Sequence, residues 1–478
     1  MERPPLKKVG EVVYELEREF RPDMHVPLKV FADEQLIGQI QRDHSLEQLI
    51  NVCTLPGITR SALGMPDMHE GYGFPVGAVA ATLPPDGAIS PGGIGFDINC
   101  GVRLLVSQLR FPQVESILPS LVHELSRNVP TGYGRQGRFG LSSDELDRVL
   151  NEGCTYLIRE RNLGFEEDLE RIESRGTLPG GDASCVSKRA KQRGADQLGT
   201  LGGGNHFMEV QKVDAVFDDG AATALGLALG QLTVLIHSGS RGLGHQVCTD
   251  YVRLMDQRLA AHKITLPDRQ LACAPLSSGE GKDYFAAMCA AANFAWSNRQ
   301  MLTQRVRETF SRVVGATSEA RLSVVYDVAH NIAKLEQFGK QTLCVHRKGA
   351  TRAFGPSSDE IPASYRRVGQ PIFIPGSMGT ASFVLVGTDQ AKDISLSSTC
   401  HGAGRALSRS SAKKQVVGHE LRKQLESQGI IVRCPSNTEL AEEAPLAYKD
   451  VERVVDVVIR AGIAKKVARL VPRGVLKG

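Results

Sequence analysis

The sequence predicts a mixed α/β (α+β) protein built as one large domain. Three observations carry that expectation. Apolar residues recur at helical spacing over residues 284–314. Short β-branched runs fall at 233–236, 322–326 and 372–374. No internal repeat or low-complexity linker divides the 478 residues.

In chain order, residues 11–20 read as a first helix. Residues 176–194 hold Pro179-Gly180-Gly181 and then Lys188, Arg189, Lys191 and Arg193, which predicts an exposed basic loop. Thr233-Val234-Leu235-Ile236 predicts a strand that runs into His237-Ser238-Gly239-Ser240-Arg241. Residues 266–282 read as irregular. The longest helix follows. Phe285, Met288, Ala292, Ala295, Leu302, Val306, Phe310 and Val313 mark its apolar stripe, with Arg299, Arg305, Arg307 and Arg312 between them. Leu322-Ser323-Val324-Val325-Tyr326 predicts a strand ending in Asp327-Val328-Ala329-His330-Asn331. Ile372-Phe373-Ile374 predicts another, ending in Pro375-Gly376-Ser377-Met378-Gly379. Residues 413–428 and 448–459 read as helices. Strands that feed polar, Gly-rich loops aim side chains into a cleft. Neither irregular stretch reads as a boundary, so the expected unit spans residues 1–478.

Hydrophobic residues make up 41% of the chain and charged residues 23%, the balance of a folded soluble protein and not of a disordered one. The formal net charge is only +4. No strong global field draws in nucleic acid, so such a site has to come from local clustering. The ten cysteines are scattered and form no CxxC pair, which argues against a disulfide scaffold or a zinc ribbon and for a reducing, cytoplasmic setting. The N-terminus lacks the apolar stretch of a signal peptide. The longest apolar region, 221–236, is interrupted by Gly226, Gly230 and Gln231 and is too short to span a bilayer. Many of the 49 glycines sit in short loops beside His, Asn, Asp and Arg, the placement of backbone shaped around a ligand.

Of twelve histidines, four occupy tight polar or Gly-rich settings. They are His206 in Gly202-Gly203-Gly204-Asn205-His206, His237, His330, and His401 in Cys400-His401-Gly402-Ala403-Gly404-Arg405. Asp97 and Cys100 lie in Gly95-Phe96-Asp97-Ile98-Asn99-Cys100-Gly101. Together these offer imidazole, carboxylate and thiolate, a mixed donor set that suits manganese, iron, cobalt or zinc. Read singly, each has a structural alternative. A histidine after a strand can be a satisfied core residue, Asp97 a turn residue and Cys100 a small core residue. The Asn205-His206 step can simply shape a Gly turn. His401 reads differently. Glycines on its C-terminal side leave room for a phosphate to approach backbone N–H groups, and Arg405 and Arg409 bring fixed charge. A neutral imidazole there is a nucleophile towards a nucleotide α-phosphate, a phosphate-binding histidine or a helix C-cap.

Basic clusters fall at Arg347-Lys348 with Arg352, at Arg366-Arg367, and at Lys465-Lys466 with Arg469 and Arg473. They are either solvated surface or, together, a track for a nucleic-acid backbone. Aromatic residues, at 5% of the chain, do not advertise extensive base stacking. The residues alone point to a metal-assisted enzyme acting on phosphates.

The same strings resemble the RtcB family of RNA-splicing ligases. The resemblance begins at Leu55-Pro56-Gly57-Ile58 and Pro66-Asp67-Met68-His69-Glu70-Gly71-Tyr72-Gly73 and runs to Lys477-Gly478. It takes in Ser90-Pro91-Gly92-Gly93 with the Asp97 and Cys100 string through Arg103, and Gly199-Thr200-Leu201 with the His206 string. The strings around His237, His330 and His401 complete it. It implies a single mixed α/β domain peculiar to the family, with a deep central cleft for metal and nucleotide. Two manganese ions are implied, one held by Asp97, Cys100 and His206 and the other by Cys100, His237 and His330, with Cys100 bridging. His401 would take GMP from GTP with loss of pyrophosphate and pass it to an RNA 3′-phosphate. A 5′-hydroxyl would then attack that activated end and release GMP, a 2′,3′-cyclic phosphate being opened first.

Positions matching the family's nucleotide contacts are Asn205, His206, Phe207, Met208, Glu209, His330, Asn331, Pro375, Gly376, Ser377, Met378, Ser382, His401, Gly402, Ala403, Gly404, Tyr448 and Lys477. Glu209 would accept from the guanine N1–H and N2 amino group, donors that adenine lacks, and so select GTP over ATP. Gly203 departs from the pattern, standing where a serine is expected in many relatives. The implied partners are RNA ends, either transfer-RNA halves or broken RNA, with an archease-type activator as a further candidate and no membrane. Two rivals stay open at this point. A dinuclear metal phosphodiesterase or phosphatase has no use for a nucleotide-attacking His401. A non-catalytic RNA-binding subunit needs the basic clusters but not the metal set.

Overall fold

The β-branched runs pair into two large sheets in the computed structural model, which describes residues 4–132, 137 and 139–478. One sheet has seven strands, in the order Lys7–Gly10, Val13–Leu16, Leu28–Phe31, Ile58–His69, Val76–Thr82, Gln341–Lys348 and Asn331–Phe338. The other has eight. Its path is Ser323–Ala329, Gly101–Arg110, Gln231–Ser238, Phe207–Val216, Ala464–Lys477, Ser382–Gly387 and Pro371–Ile374, and Ile431–Arg433 pairs in parallel beside Ala464–Lys477. Helices cover these sheets, so the fold is mixed α/β. Gln231–Ser238 is buried along its whole length. Leu232, Val234 and Ile236 pack with Leu121, Leu302 and Val306 on one face, and Leu235 packs with Tyr326 and Leu470 on the other. Burial on both faces explains why such a strand reads as a continuous apolar run.

The register of the eight-stranded sheet sets up the site. Phe207 pairs with His237, Gly101 with Ser238, and Ala329 with Gly101. Cys100, His206, His237 and His330 are at or next to these paired residues, so they line up along one end of the sheet. His330 is also the single residue between Ser323–Ala329 and Asn331–Phe338. The chain therefore steps from one sheet to the other at a candidate ligand.

The long helix is Gly279–Val313, 35 residues and about 52 Å at the α-helical rise. Its start is capped by the Ser278 hydroxyl, which accepts from Gly281 N–H. Its middle is polar and buried. Arg299 reaches both oxygens of Asp327 at 2.8 Å and donates to the carbonyls of Asn99 and Ser238, also at 2.8 Å. Arg103 meets the same Asp327 at 2.8 Å. Asn298 accepts from Gly199 N–H at 2.7 Å and donates to Gly239 O at 3.1 Å. The helix thus ties down the loop that leads to His206 and the end of the strand that carries His237.

Several sequence expectations change. Residues 11–20 hold the strand Val13–Leu16 and the turn Arg18–Phe20, not a helix. Val12-Val13-Tyr14 is β-branched and aromatic, and pairing with Leu28–Phe31 outweighs a weak helical pattern. The helix expected over 413–428 is two, Arg409–Gln415 and Gly418–Ser427. The β-branched pair Val416-Val417 separates them, and a Cβ at Gly418 would lie 1.9 Å from Asn437 O. The basic loop contains a helix, Lys188–Gly194, with Lys191 2.7 Å from Asp147. In the irregular stretch, Ala274–Pro275 pairs with Ala88–Ile89. Helix Val451–Arg460 starts later than expected because Asp450 caps it. Arg347, Lys348 and Arg352 are buried, so they form no external nucleic-acid track. Arg347 is held by Glu336 at 2.6 and 2.8 Å, and Arg352 by Glu360 at 2.7 Å. The apolar region 221–236 divides between helix Asp219–Leu225 and strand Gln231–Ser238. Among the described residues, no helix is long and apolar enough to cross a membrane.

Candidate active site

Asp97 and Cys100 share one turn, closed by the Cys100 N–H donating to Asp97 O at 2.9 Å. Asn99 takes a left-handed conformation there, φ 51, which its short polar side chain tolerates. The turn aims both ligands at the end of the sheet. Cys100 Sγ lies 3.4 Å from His206 Nε2 and 3.3 Å from His237 Nε2. His237 Nε2 is 3.2 Å from His330 Nε2, and His206 Nε2 is 2.7 Å from Asp97 Oδ2. Two ligand groups result, Cys100–His237–His330 and Asp97–Cys100–His206, each with its donor atoms within 4.8 Å of one another. They share Cys100. Most of these separations match ligands held about 2.0–2.3 Å from a tetrahedral ion, so the donor set fits a pair of cations. A glycine is required beside it. A Cβ at Gly239 would lie 2.3 Å from the Asp97 carboxylate.

Burial lowers His206, His237 and His330 from the ordinary imidazole range. Neutral imidazole is the form that binds metal. Burial opposes charge on Asp97, yet His206 and Arg241 beside it bring the carboxyl down to about 2. Burial, with Asp97 adjacent, pushes the Cys100 thiol up. A cation would supply the charge that makes it a thiolate.

His401 faces the same space, its ring centroid 4.9 Å from that of His330. Its Nδ1 is 2.6 Å from Asp67 Oδ2, and its backbone N–H donates to the same oxygen at 3.1 Å. A carboxylate only accepts, so Nδ1 is the donor and Nε2 is the ring nitrogen left without this contact. Gly404 makes the approach possible, since a Cβ there would lie 2.2 Å from Asp67 O. Sequence reasoning left Asp67 without a chemical role. The available signal was a carboxylate in an otherwise apolar stretch of strand Ile58–His69, between buried Met65 and Met68.

A cavity of about 350 Å³ opens over these groups. Of the residues singled out in the sequence, its walls include Asp97, Cys100, Asn205, Phe207, His237, His330, Asn331, Pro375, Gly376, His401, Gly402, Ala403, Gly404 and Tyr448. Asn331 Nδ2 donates to Asp97 O at 3.1 Å, and its Oδ1 accepts from Gly349 N–H at 2.8 Å. The Tyr448 hydroxyl donates to Glu443. Phe96, Lys348, Arg405 and Arg409 also line the cavity. The two arginines share Glu443, at 3.1 and 3.0 Å. Burial pushes Lys348 down to about 7, and its Nζ donates to the carbonyls of Tyr72, Phe74 and Gly92.

The remaining expected contacts lie outside the cavity wall. Gly376 N–H donates to Ser382 Oγ at 3.3 Å, and Gln211 Nε2 donates to Ser382 Oγ at 3.2 Å and to Glu209 Oε2 at 2.7 Å. Glu209 therefore sits one layer behind Gly376, and burial pushes its carboxyl up to about 8. Lys477 Nζ donates to the carbonyls of Gly204 and His206. Ser377 bonds Thr380. Met208 packs into the core on the opposite face of its strand from Phe207, and Met378 packs with Leu421 and Leu425. Gly203 is buried between Gly202, whose carbonyl accepts from Gly132 N–H, and Gly204. A larger hollow of about 790 Å³, against Arg305, Arg312 and Leu322, contains none of the candidate ligands or His401. Chemistry therefore points to the smaller cavity, where two groups of side chains able to hold a cation, the His401 imidazole and cationic side chains lie together, a set that suits phosphoryl transfer.

A family model described as tRNA-splicing ligase RtcB matches residues 48–478. The chain is 52% identical over 478 residues to the tRNA-splicing ligase RtcB of Archaeoglobus fulgidus, covering 99% of each chain. It is 50% identical over 479 residues to that of Thermococcus kodakarensis, again covering 99% of each. It is 50% identical over 438 residues to the RNA-splicing ligase RtcB of Mycobacterium tuberculosis, covering 90% of this chain and 100% of the relative.

Proposed function

The chain belongs to the RtcB family of tRNA-splicing RNA ligases, and on that premise we propose that it joins RNA ends through a guanylate carried on His401, with GTP and two manganese ions as cofactors. The substrates in this reading are an RNA 3′-phosphate or 2′,3′-cyclic phosphate and an RNA 5′-hydroxyl, as left by transfer-RNA splicing or RNA damage. A cyclic end is first hydrolysed to the 3′-phosphate. His401 Nε2 then attacks the α-phosphorus of GTP. A P–N bond forms and the P–O bond to pyrophosphate breaks. The ring gains positive charge, which the Asp67 carboxylate at Nδ1 offsets. An oxygen of the RNA 3′-phosphate next attacks that phosphorus, and the P–N bond breaks to return neutral imidazole. Finally the 5′-hydroxyl attacks the RNA phosphorus, its proton passes to water and GMP leaves.

Asp97, Cys100 and His206 would hold one cation, and Cys100, His237 and His330 the other. Bound there, the pair would neutralise phosphate charge in the cavity. The donor set also admits iron, cobalt or zinc; the family resemblance selects manganese. Ten free cysteines agree with a reducing, cytoplasmic setting. An archease-type activator is the protein partner this reading expects.

The observation that carries the reading is that His401 and both ligand groups border one cavity, with the His401 ring 4.9 Å from His330. A dinuclear phosphodiesterase would need the ligand groups but not a histidine held through Nδ1 by a buried carboxylate. A non-catalytic RNA-binding subunit would need neither. Incubation with α-labelled GTP and Mn²⁺, followed by denaturing electrophoresis, tests it. Wild type is expected to retain label that brief acid treatment removes, and His401→Ala to retain none. A wild type without covalent label overturns the reading in favour of one of the two rivals.

A further inference from the structure

Aromatic residues are only 5% of the chain, yet three rings gather on one side of the active cavity. Phe96 is part of its wall. His245 stacks on Phe96 with centroids 4.8 Å apart and planes 27° apart. Tyr72 meets the Phe96 ring edge-on at 5.1 Å and 62°. The cluster is open to solvent and not sealed in the core. Here Phe96 and Tyr72 are half-buried and His245 is exposed.

Backbone ties all three rings to the candidate ligand loops. Phe96 directly precedes Asp97. His245 stands in the first turns of helix Arg241–Arg258, which follows the strand ending at His237 and Ser238. The Tyr72 carbonyl accepts from Lys348, another wall residue. Rigid backing of this kind turns a ring into a platform. Phe96 is next in the chain to Asp97 of the Asp97–Cys100–His206 group, whereas His401 borders His330 of the other group. A nucleotide on His401 thus leaves this shelf to a second ligand.

We propose that the Tyr72–Phe96–His245 shelf stacks the terminal nucleobase of an RNA end delivered to the cavity. The inference rests on the RNA-joining reading above. Stacking uses the face of a base and not its edge, so the shelf accepts any of the four bases. That tolerance suits an enzyme that must join ends of differing sequence.

The test is single-turnover joining of a 3′-phosphorylated and a 5′-hydroxyl oligoribonucleotide by enzyme already carrying label from GTP. Phe96→Ala is expected to raise the RNA concentration for half-maximal joining about tenfold, the scale of losing one base–aromatic stack. Phe96→Trp keeps a ring and stays close to wild type. An abasic terminal nucleoside is expected to weaken wild type by the same factor and to leave Phe96→Ala no worse. Separate arms with the abasic residue at the 3′-phosphate end and at the 5′-hydroxyl end identify which strand supplies the base. Saturation of Phe96→Ala at the wild-type RNA concentration, or a penalty that persists on both abasic RNAs, overturns the shelf. A wild type that retains no label without RNA overturns the underlying chemistry instead.

Discussion

Glu209 carries the sharpest consequence at the scale of a residue. Burial pushes its carboxyl up to about 8, although Gln211 Nε2 donates to it at 2.7 Å. A carboxyl raised that far is mostly protonated at neutral pH. Its proposed role, accepting from the guanine N1–H and N2 amino group, requires the carboxylate. Binding must then release a proton, so GTP affinity rises with pH up to about 8 and levels off above it. Calorimetry in buffers of different ionisation enthalpy is expected to report about one proton released per GTP at neutral pH. Glu209→Ala should flatten that profile and let ATP compete. An affinity that ignores pH in the wild type would remove Glu209 from guanine recognition. The family resemblance pointed to this residue, but its protonation did not follow from the string around it. That depends on how deeply the folded sheet buries the carboxyl, which outweighs the opposing pull of Gln211 and Lys477.

At the scale of elements, the clamp between the long helix and the strand Ser323–Ala329 sets the rigidity of the site. Asp327 stands between Arg299 and Arg103, and all three side chains are fully buried. Asp327→Ala would leave two buried guanidinium groups without their shared counter-ion. A loss of about 3–5 kcal/mol is expected, read as a lower denaturant midpoint. Because Arg299 also holds the carbonyls of Asn99 and Ser238, the variant should bind Mn²⁺ more weakly even where it is still folded. A midpoint equal to that of wild type would refute the clamp. The helix itself was legible, since a long apolar stripe at helical spacing is a strong local signal. Arg299 was not. Periodicity tells which face is apolar, but not which charged residue finds a buried partner across the sheet.

At the scale of the molecule, His330 joins the two sheets and is also a candidate ligand. A cation held there links the ends of both sheets. Binding that favours only the native state stabilises it, by about 2.7 kcal/mol at a hundredfold excess over Kd. Mn²⁺ is therefore expected to raise the thermal midpoint and a chelator to reverse the shift. Cys100→Ala removes a ligand from both groups, so it should abolish the shift together with guanylate labelling. Full labelling in that variant would reject a thiolate shared by the two ions.

By itself the sequence determined the chemistry on offer. The strings bearing Asp97, Cys100, His206, His237, His330 and His401, the long helix and the principal strands are all local patterns, readable along one dimension. Only the tertiary structure decided how they combine. It brought the ligands of four separate chain segments together, set Asp67 against His401 Nδ1, buried Arg347 and Arg352 as counter-ions and gathered scattered rings beside Asp97. Strand register and the crossing at His330 set the ligand positions, and contacts such as His237 with His330 and Asp67 with His401 join residues 93 and 334 positions apart that no local spacing relates.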